Sequence, residues 1–168
     1  MPQIILKINS NNDKIIQDEK ICCYIADTSL DKSKITEIVK SGKMVLAQGT
    51  NDFDCCQKYN LDGVVTEVDE KKPIKAQIKP LREKLNKKTL GVIIPPRRHE
   101  VMLAGEIEPE FMVLKIDNLT KFESLIDWYN DLFLLPLALE FSDEIPPLQL
   151  LKTDFVIIDA EKFENSGC

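Results

Sequence analysis

Short runs of apolar and β-branched residues recur along the chain and predict eight β-strands. The runs begin 17 to 28 residues apart, about the length of one strand-plus-helix unit. Nearly every position within a run is apolar, which is typical of strands covered on both faces. The predicted strands are IILKI (4–8), ICCYIA (21–26), KMVLAQ (43–48), DGVVTE (62–67), LGVII (90–94), EFMVLKI (110–116), FLLPLALEF (133–141) and DFVIID (154–159).

Between the strands, apolar residues return at helical spacing. Gly42 can end the first predicted helix, Pro80 should kink the second, and Thr120 is the predicted N-cap of the third. The link between the first two strands (residues 9–20) has room for little more than one helical turn. The predicted helices are DKSKITEIVKSG (31–42), PIKAQIKPLREKLNKK (73–88) and LTKFESLIDWYNDL (119–132).

A weak internal repeat indicates how the strands are arranged. LDGVV (61–65), PEFMV (109–113) and TDFVI (153–157) each place an acidic residue before an apolar strand, about two strand–helix units apart. Eight strands alternating with helices predict an α/β protein, a compact (β/α)₈ TIM-type barrel with a much reduced first βα unit. An open parallel sheet is the alternative. The length of 168 residues favours a single domain over residues 1–168.

Composition narrows the class of partner. Twenty-two Lys and Arg residues against 28 Asp and Glu residues give a net charge of −6, which argues against nucleic acid as a partner. No apolar run approaches the roughly 20 residues of a membrane span, so no membrane association is expected. The run Leu132 to Leu135 indicates either a wholly buried segment or a subunit contact, and the second interpretation implies a homodimer.

The five cysteines form two adjacent pairs, Cys22–Cys23 and Cys55–Cys56, and the terminal Cys168. With one histidine and no C-x-x-C spacing, no metal site is expected. Free thiols in this number suit a reducing cytoplasm. In a regular strand, Cys22 and Cys23 should point to opposite faces, so at least one should be core packing.

Four segments follow one another in the order and spacing of a known family. They are LDGVVTEV (61–68), RRHEVMLAGEIEPEFMVL (97–114), DWYNDLFLLPLALEF (127–141) and TDFVIIDAEKF (153–163). These segments resemble the thiamine phosphate synthase and TenI family, whose patterns are roughly DGVHL, S-R-H-x-A-M-x-A-G-E-x-G-A-D-Y-V, W-W-x-x-x-x-x-P-x-V-A and G-A-D-F-V. RHEVMLAGE (98–106) is the most specific piece.

The resemblance implies a (β/α)₈ barrel that acts in thiamine biosynthesis as a transferase, or as an isomerase of a thiazole phosphate. It also implies a Mg²⁺-held pyrophosphate and a second phosphate site, both at the C-terminal ends of the strands. The chain departs from the family at these sites. The family's Asn-Asp-Arg is replaced by Thr50, Asn51 and Asp52. Its Gly-Gly-Ile phosphate loop is replaced by EFSDE (140–144). Mg²⁺ is therefore expected only if the family's synthase chemistry is retained.

Two further sets of family residues are changed. The family's His-Leu-Gly-Gln is replaced by Val65-Thr66-Glu67-Val68. The family's loop after the sixth strand is rich in Thr and contains a Lys, and this chain has KIDN (115–118) there. Three glycines that end helices in the family are also replaced, by Asn60, Glu108 and Lys152. Asn tolerates the left-handed conformation that such glycines adopt, whereas Glu and Lys do so poorly.

Polar residues at the predicted strand ends are the candidates for a ligand pocket, because the sites of such barrels lie there. Arg97, Arg98 and His99 are the candidate anion-binding residues, since they open a helix after Pro95-Pro96. The alternative is a scaffold in which Glu67 or Asp69 neutralises the arginines. The pocket candidates are Thr50, Asn51, Asp52, Thr66, Glu67 and Lys115, within a wider set that also contains Asn9, Asp27, Thr28, Gln48, Asp117, Glu140, Ser142 and Asp159.

Two functions from different classes follow. The first is a protein of the thiamine phosphate synthase and TenI type that lacks the family's synthase activity, because the phosphate and metal motifs are lost. The second is a non-catalytic barrel that serves as a small-anion-binding or protein-interaction module. In either case the expected ligand is a small phosphorylated molecule, and no catalytic residue is assigned.

Overall fold

The chain folds into a closed barrel of eight parallel strands, in the order in which they occur in the sequence. The computed structural model describes residues 1–166, and the side chains of residues 1–163. Strand β1 pairs with β2 on one side and with β8 on the other, which closes the sheet and excludes the open-sheet alternative. The strands are β1 (Gln3–Ile8), β2 (Ile21–Asp27), β3 (Met44–Gln48), β4 (Gly63–Glu67), β5 (Thr89–Ile94), β6 (Phe111–Ile116), β7 (Leu137–Phe141) and β8 (Phe155–Asp159).

In the described residues 1–166, six helices lie between and after the strands, and two connections lack one. No helix follows β1, as expected from its short polar link, and β7 is followed only by a 3₁₀ helix, Leu148–Leu150. These two reductions let a complete barrel fit into 168 residues, fewer than the roughly 200 that are usual. The helices are α1 (Lys32–Val39), α2 (Asp52–Lys58), α3 (Ile74–Leu85), α4 (Arg98–Gly105), α5 (Leu119–Leu132) and α6 (Ala160–Ser166).

The apolar core has two layers, as the alternation of side chains along a strand requires. The larger layer lies between the outside of the sheet and the helices, and it contains Ile35 and Ile38 of α1 and Ile78 of α3. The smaller layer fills the barrel. Its members are Ile5, Cys23, Ile25, Leu46, Val65, Ile93, Phe111, Val113, Ala138 and Ile157.

Two local expectations are corrected. Strand β7 begins at Leu137 rather than at residue 133, because α5 continues to Leu132 and Pro136 precedes the strand. The N-cap of α5 is Asn118, whose side chain accepts hydrogen bonds from the backbone N–H groups of Thr120 and Lys121. Thr120 is therefore inside the helix.

The run from Leu132 to Leu135 is not wholly buried. The exposed fraction is 55% for Leu132 and 104% for Leu134. Phe133 and Leu135 are partly buried against the core, and the Phe133 ring stacks on Tyr129 with centroids 4.8 Å apart. A buried segment is thus the wrong interpretation, and the subunit contact stays a prediction.

Two of the three positions at which the resembled family has glycine take the backbone conformation that favours glycine. Asn60 and Glu108 have φ values of 51° and 57°, in the left-handed region, whereas Lys152 is not among the residues with positive φ. A Glu side chain carries a steric cost at such a position. Two left-handed turns of the barrel are therefore built without glycine, the residue that best suits them.

Among the described residues, no helix is long and apolar enough to cross a membrane.

Candidate functional site

The C-terminal ends of the strands surround a ring of polar side chains. Because side chains alternate along a strand, the residue two positions after the last member of the inner apolar layer on a strand also faces inward. Two lysines and four carboxylates occupy this ring, which therefore has a formal charge of −2. We call it the polar mouth layer, and its members are Lys7, Asp27, Gln48, Glu67, Lys115, Glu140 and Asp159.

Each lysine of the layer is paired with a glutamate. Lys7 Nζ lies 3.4 Å from Glu140 Oε1, and both side chains are mostly buried, with exposed fractions of 13% and 15%. Lys115 Nζ lies 2.9 Å from Glu67 Oε1. Burial by itself lowers the pKa of the Lys115 ammonium, but its hydrogen bond to Glu67 and the nearby Glu140 charge raise the pKa overall. Lys115 is thus a protonated, neutralised group and not a free amine nucleophile.

Two buried acceptor atoms of the same layer have no partner. Gln48 Oε1 and Glu140 Oε2 are buried without a hydrogen-bond partner among the described residues. Leaving such an acceptor unpaired costs about 1–3 kcal/mol. The layer can therefore accept hydrogen bonds from a water or a ligand that carries donors.

A cavity of about 370 Å³ opens beside the layer, between the ends of β4, β5 and β6. We call it the mouth cavity. Its charged lining consists of Glu67, Asp69, Glu70, Arg97 and Lys115. Three residues predicted from the sequence, Glu67, Arg97 and Lys115, thus meet here.

The arginine of this cavity is held by two carboxylates. Arg97 Nη2 lies 3.0 Å from Glu70 Oε2, and its Nε donates to Glu100 Oε1 at 2.9 Å. These two hydrogen bonds raise the pKa of the Arg97 guanidinium. The sequence offers neutralisation of the arginines by carboxylates as one of two alternatives. The structure shows this for Arg97, but its partners are Glu70 and Glu100 rather than Glu67 or Asp69. An anion would have to compete with both of them.

Arg98 and His99 lie outside the mouth cavity. The Arg98 guanidinium lies over the ring of Trp128, 5.2 Å from its centroid, which is a cation–π contact between α4 and α5. His99 is exposed in the first turn of α4. The three basic residues therefore do not converge on one point.

The remaining pocket candidates lie at the ends of β3 and β4 and do not line the mouth cavity. Thr50 and Asn51 are exposed, and Asn51 takes a left-handed conformation with φ 57° before α2. Burial raises the pKa of the Asp52 carboxyl, while hydrogen bonds from the Phe53 N–H and from Thr66 oppose the change. Asp52 is engaged in the β3–α2 turn.

The residues at this turn do not fit the Mg²⁺ ion that the family resemblance implies. An amide, Asn51, stands at the place of the metal-binding carboxylate. Among the described residues, no group of three or more His, Cys, Asp or Glu side chains is placed to hold a metal ion. The turn therefore lacks the carboxylate that the implied Mg²⁺ ion would need at this position.

The end of β7, where the family binds phosphate, is acidic. Asp143 and Glu144 line an open depression together with Asp117 and Glu123. No glycine occurs between residues 106 and 166, so no side-chain-free backbone is available to approach a phosphate there. This end of the barrel repels a phosphate.

Lys7 is the residue of the polar mouth layer that sequence reasoning missed. Lys7 lies one residue before the end of β1, which is the position that Lys115 takes in β6 and Glu140 takes in β7. The signal was present, because Leu-Lys-Ile occurs both at 6–8 and at 114–116. In each copy the lysine alternates with outward-facing apolar residues, so it must face the barrel axis.

Solved structures share the fold at low sequence identity. Phosphoribosylanthranilate isomerase from Thermotoga maritima is 13% identical with a TM-score of 0.62, over 95% of this chain and 88% of that one. Orotidine 5'-monophosphate decarboxylase from Methanocaldococcus jannaschii is 17% identical with a TM-score of 0.56, over 98% of each chain.

A third barrel, tryptophan synthase subunit alpha from Campylobacter jejuni, is 10% identical with a TM-score of 0.57, over 95% of this chain and 86% of that one. No family model and no curated protein sequence matches the chain. The structural likeness shows a TIM-barrel fold that is shared with biosynthetic enzymes, and none of the three is a thiamine phosphate synthase.

Proposed function

We propose that this chain is a barrel of the thiamine phosphate synthase and TenI type that does not carry out the family's synthase reaction. The segment RRHEVMLAGE (97–106) supports the family, since it keeps the R-H and A-G-E of the family pattern in order. The barrel agrees with it, although many enzyme families share this fold. The loss of the synthase reaction follows from the chemistry of the mouth.

This proposal rests on three cations at the mouth of the barrel that are each paired with a glutamate. Lys7, Lys115 and Arg97 are each bonded to a glutamate, which leaves a diphosphate leaving group without a free cation at these positions. Enzymes that transfer such groups stabilise developing negative charge with free cations and N–H donors. Here the acidic end of β7 would oppose that charge.

The test is a synthase assay with Mg²⁺, the pyrimidine diphosphate and the thiazole phosphate. We expect no thiamine phosphate above the background rate, because loss of one such electrostatic element costs about 10²- to 10³-fold and several are absent together. An authentic synthase provides the positive control. Turnover that disappears in a Lys115→Met variant would contradict the proposal, because it would place the chemistry in the polar mouth layer.

A second function is favoured by the unpartnered acceptors of the layer. We propose that the mouth binds a small neutral or cationic ligand that carries N–H or O–H donors, rather than the phosphorylated ligand expected from the sequence. The formal charge of −2 supports a donor-bearing ligand, and so do the free acceptor atoms of Gln48 and Glu140. Because Gln48 and Glu140 lie on opposite sides of the ring, a ligand that reaches both would lie across the barrel axis.

A paired NMR titration separates the two ligand classes. Ethanolamine, which carries ammonium and hydroxyl donors, should shift the amide signals of residues near Gln48 and Glu140. Inorganic phosphate should leave residues 95 to 102 unchanged, both in the wild type and in an Arg97→Ala, Arg98→Ala variant.

The control is Glu144→Gln, a change at the rim that should preserve the ethanolamine shifts, whereas Glu140→Gln should remove them. Phosphate shifts that are confined to residues 95 to 102 and lost in the arginine variant would overturn this second proposal. They would support an anion site instead.

A further inference from the structure

A β-bulge in the first strand pair turns two adjacent cysteines toward the same space. Ile4 pairs with Ile21 and Ile5 pairs with Cys23, so Cys22 is an extra residue on β2. Neighbouring side chains of a regular strand face opposite sides, but a bulge breaks this alternation. Cys22 and Cys23 consequently line one cavity, which corrects the expectation that they point to opposite faces.

This cavity, which we call the base cavity, lies at the N-terminal ends of the strands, opposite the mouth. Its volume is about 330 Å³, within the range of small-molecule sites, and its walls are mainly apolar. Phe111 and Phe155 form one wall, with ring centroids 6.2 Å apart, and Met44 is 43% exposed at another. A small molecule with an apolar body fits such a lining.

The thiols of the base cavity are protonated at neutral pH. Burial raises the pKa of both the Cys22 and the Cys23 thiol. Each also donates a weak hydrogen bond to a backbone carbonyl, Cys22 to Ile4 O at 3.4 Å and Cys23 to Tyr24 O at 3.5 Å. A metal cation would need two thiolates and would leave charge beside apolar walls, which is costly. A neutral species that bonds to both sulfurs avoids that cost.

We propose that the base cavity is a dithiol site for a neutral thiophilic molecule with an apolar body, the class to which trivalent aryl arsenicals belong. The hydrated aryl arsenical loses two hydroxyl groups from arsenic, and the two thiols lose their protons. Two As–S bonds form and two waters leave, while arsenic stays trivalent, so no oxidant or reductant is needed. The aryl ring then lies against the phenylalanine wall.

The second cysteine pair provides an internal control. Cys55 and Cys56 are adjacent on α2, where neighbouring side chains point about 100° apart. Cys56 is fully buried in the layer between the sheet and the helices, and Cys55 is half-buried. Both pairs are adjacent in sequence, but Cys22 and Cys23 line an apolar cavity together, whereas Cys56 is packed between the sheet and the helices.

The experiment adds one equivalent of phenylarsine oxide to the folded protein in a Cys168→Ser background. Intact mass should show one phenylarsenic unit that remains in excess glutathione, and peptide mapping should locate it at Cys22 and Cys23. Cys22→Ser and Cys22→Ala should each weaken retention by about 10²-fold or more, because the second As–S bond is intramolecular. Cys55→Ser should leave retention unchanged.

Labelling in concentrated urea shows whether the selectivity depends on folding. There, both pairs are expected to react. Equal labelling of Cys55–Cys56 in the folded protein, or no retained adduct at Cys22–Cys23, would overturn the proposal. Full retention in a folded Cys22→Ser variant would also overturn it, because a single thiol would then be sufficient.

Discussion

Replacing Gly63 with alanine should destabilise the barrel by about 3 kcal/mol or more. A β-carbon on Gly63 would lie 1.9 Å from the carbonyl oxygen of Thr89, and 2.7 Å from its carbonyl carbon. Gly63 and Thr89 are paired across β4 and β5, so the added β-carbon would clash with the backbone of the neighbouring strand. A backbone atom cannot move aside as a flexible side chain can. The strands would have to separate at the point where β4 joins the barrel.

Urea unfolding followed by circular dichroism measures this loss. The matched control is Gly42→Ala, because a β-carbon there would meet nothing within 4 Å. Its φ of 81° leaves only the left-handed strain of alanine, about 1–2 kcal/mol. If both variants lose the same free energy of unfolding, the close approach of β4 and β5 does not account for Gly63.

Strand identity and order were predictable from the sequence because a closed parallel barrel leaves a strong signal. Strands covered on both faces are continuously apolar, and their spacing follows the repeating unit. The start of β7 was not predictable in this way. Leu134 and Leu135 are as apolar as the strand itself, yet Leu134 is fully exposed beyond the end of α5. Hydrophobicity alone does not distinguish a strand from an apolar loop.

The sequence was sufficient to predict where the candidate site lies. It was not sufficient to predict which charged side chains form ion pairs there. Glu67, Arg97 and Lys115 lie at or near the C-terminal ends of predicted strands, and they line one cavity. Their partners depend on contacts between distant residues, as with Lys115 and Glu67, which are 48 residues apart. The bulge at Cys22 could not be predicted from the sequence either. It depends on the register of β1 against β2, which a single strand does not encode.

Lys7→Met should destabilise the protein by about 2–3 kcal/mol even though the side chain keeps its shape. The change removes the cation from a mostly buried pair and leaves the Glu140 carboxylate with one buried oxygen already unpartnered. The cost falls below that of a wholly buried pair, because the charge of Lys115 lies on the adjacent strand, opposite Glu140. Adding Glu140→Leu should bring the free energy of unfolding back to within about 1 kcal/mol of the wild type, since an apolar pair replaces two charges.

A double-mutant cycle in urea measures this coupling. The exposed pair of Lys152 and Asp127, 3.6 Å apart, is the control, and Asp127→Ala should cost no more than about 0.5 kcal/mol. The prediction fails if Lys7→Met costs as little as that surface change. If the double variant is as stable as the wild type, the Lys7–Glu140 pair is not needed to hold the barrel together. The same variant should then lose the ethanolamine shifts near Glu140, because the proposed ligand donates to the unpartnered Glu140 oxygen.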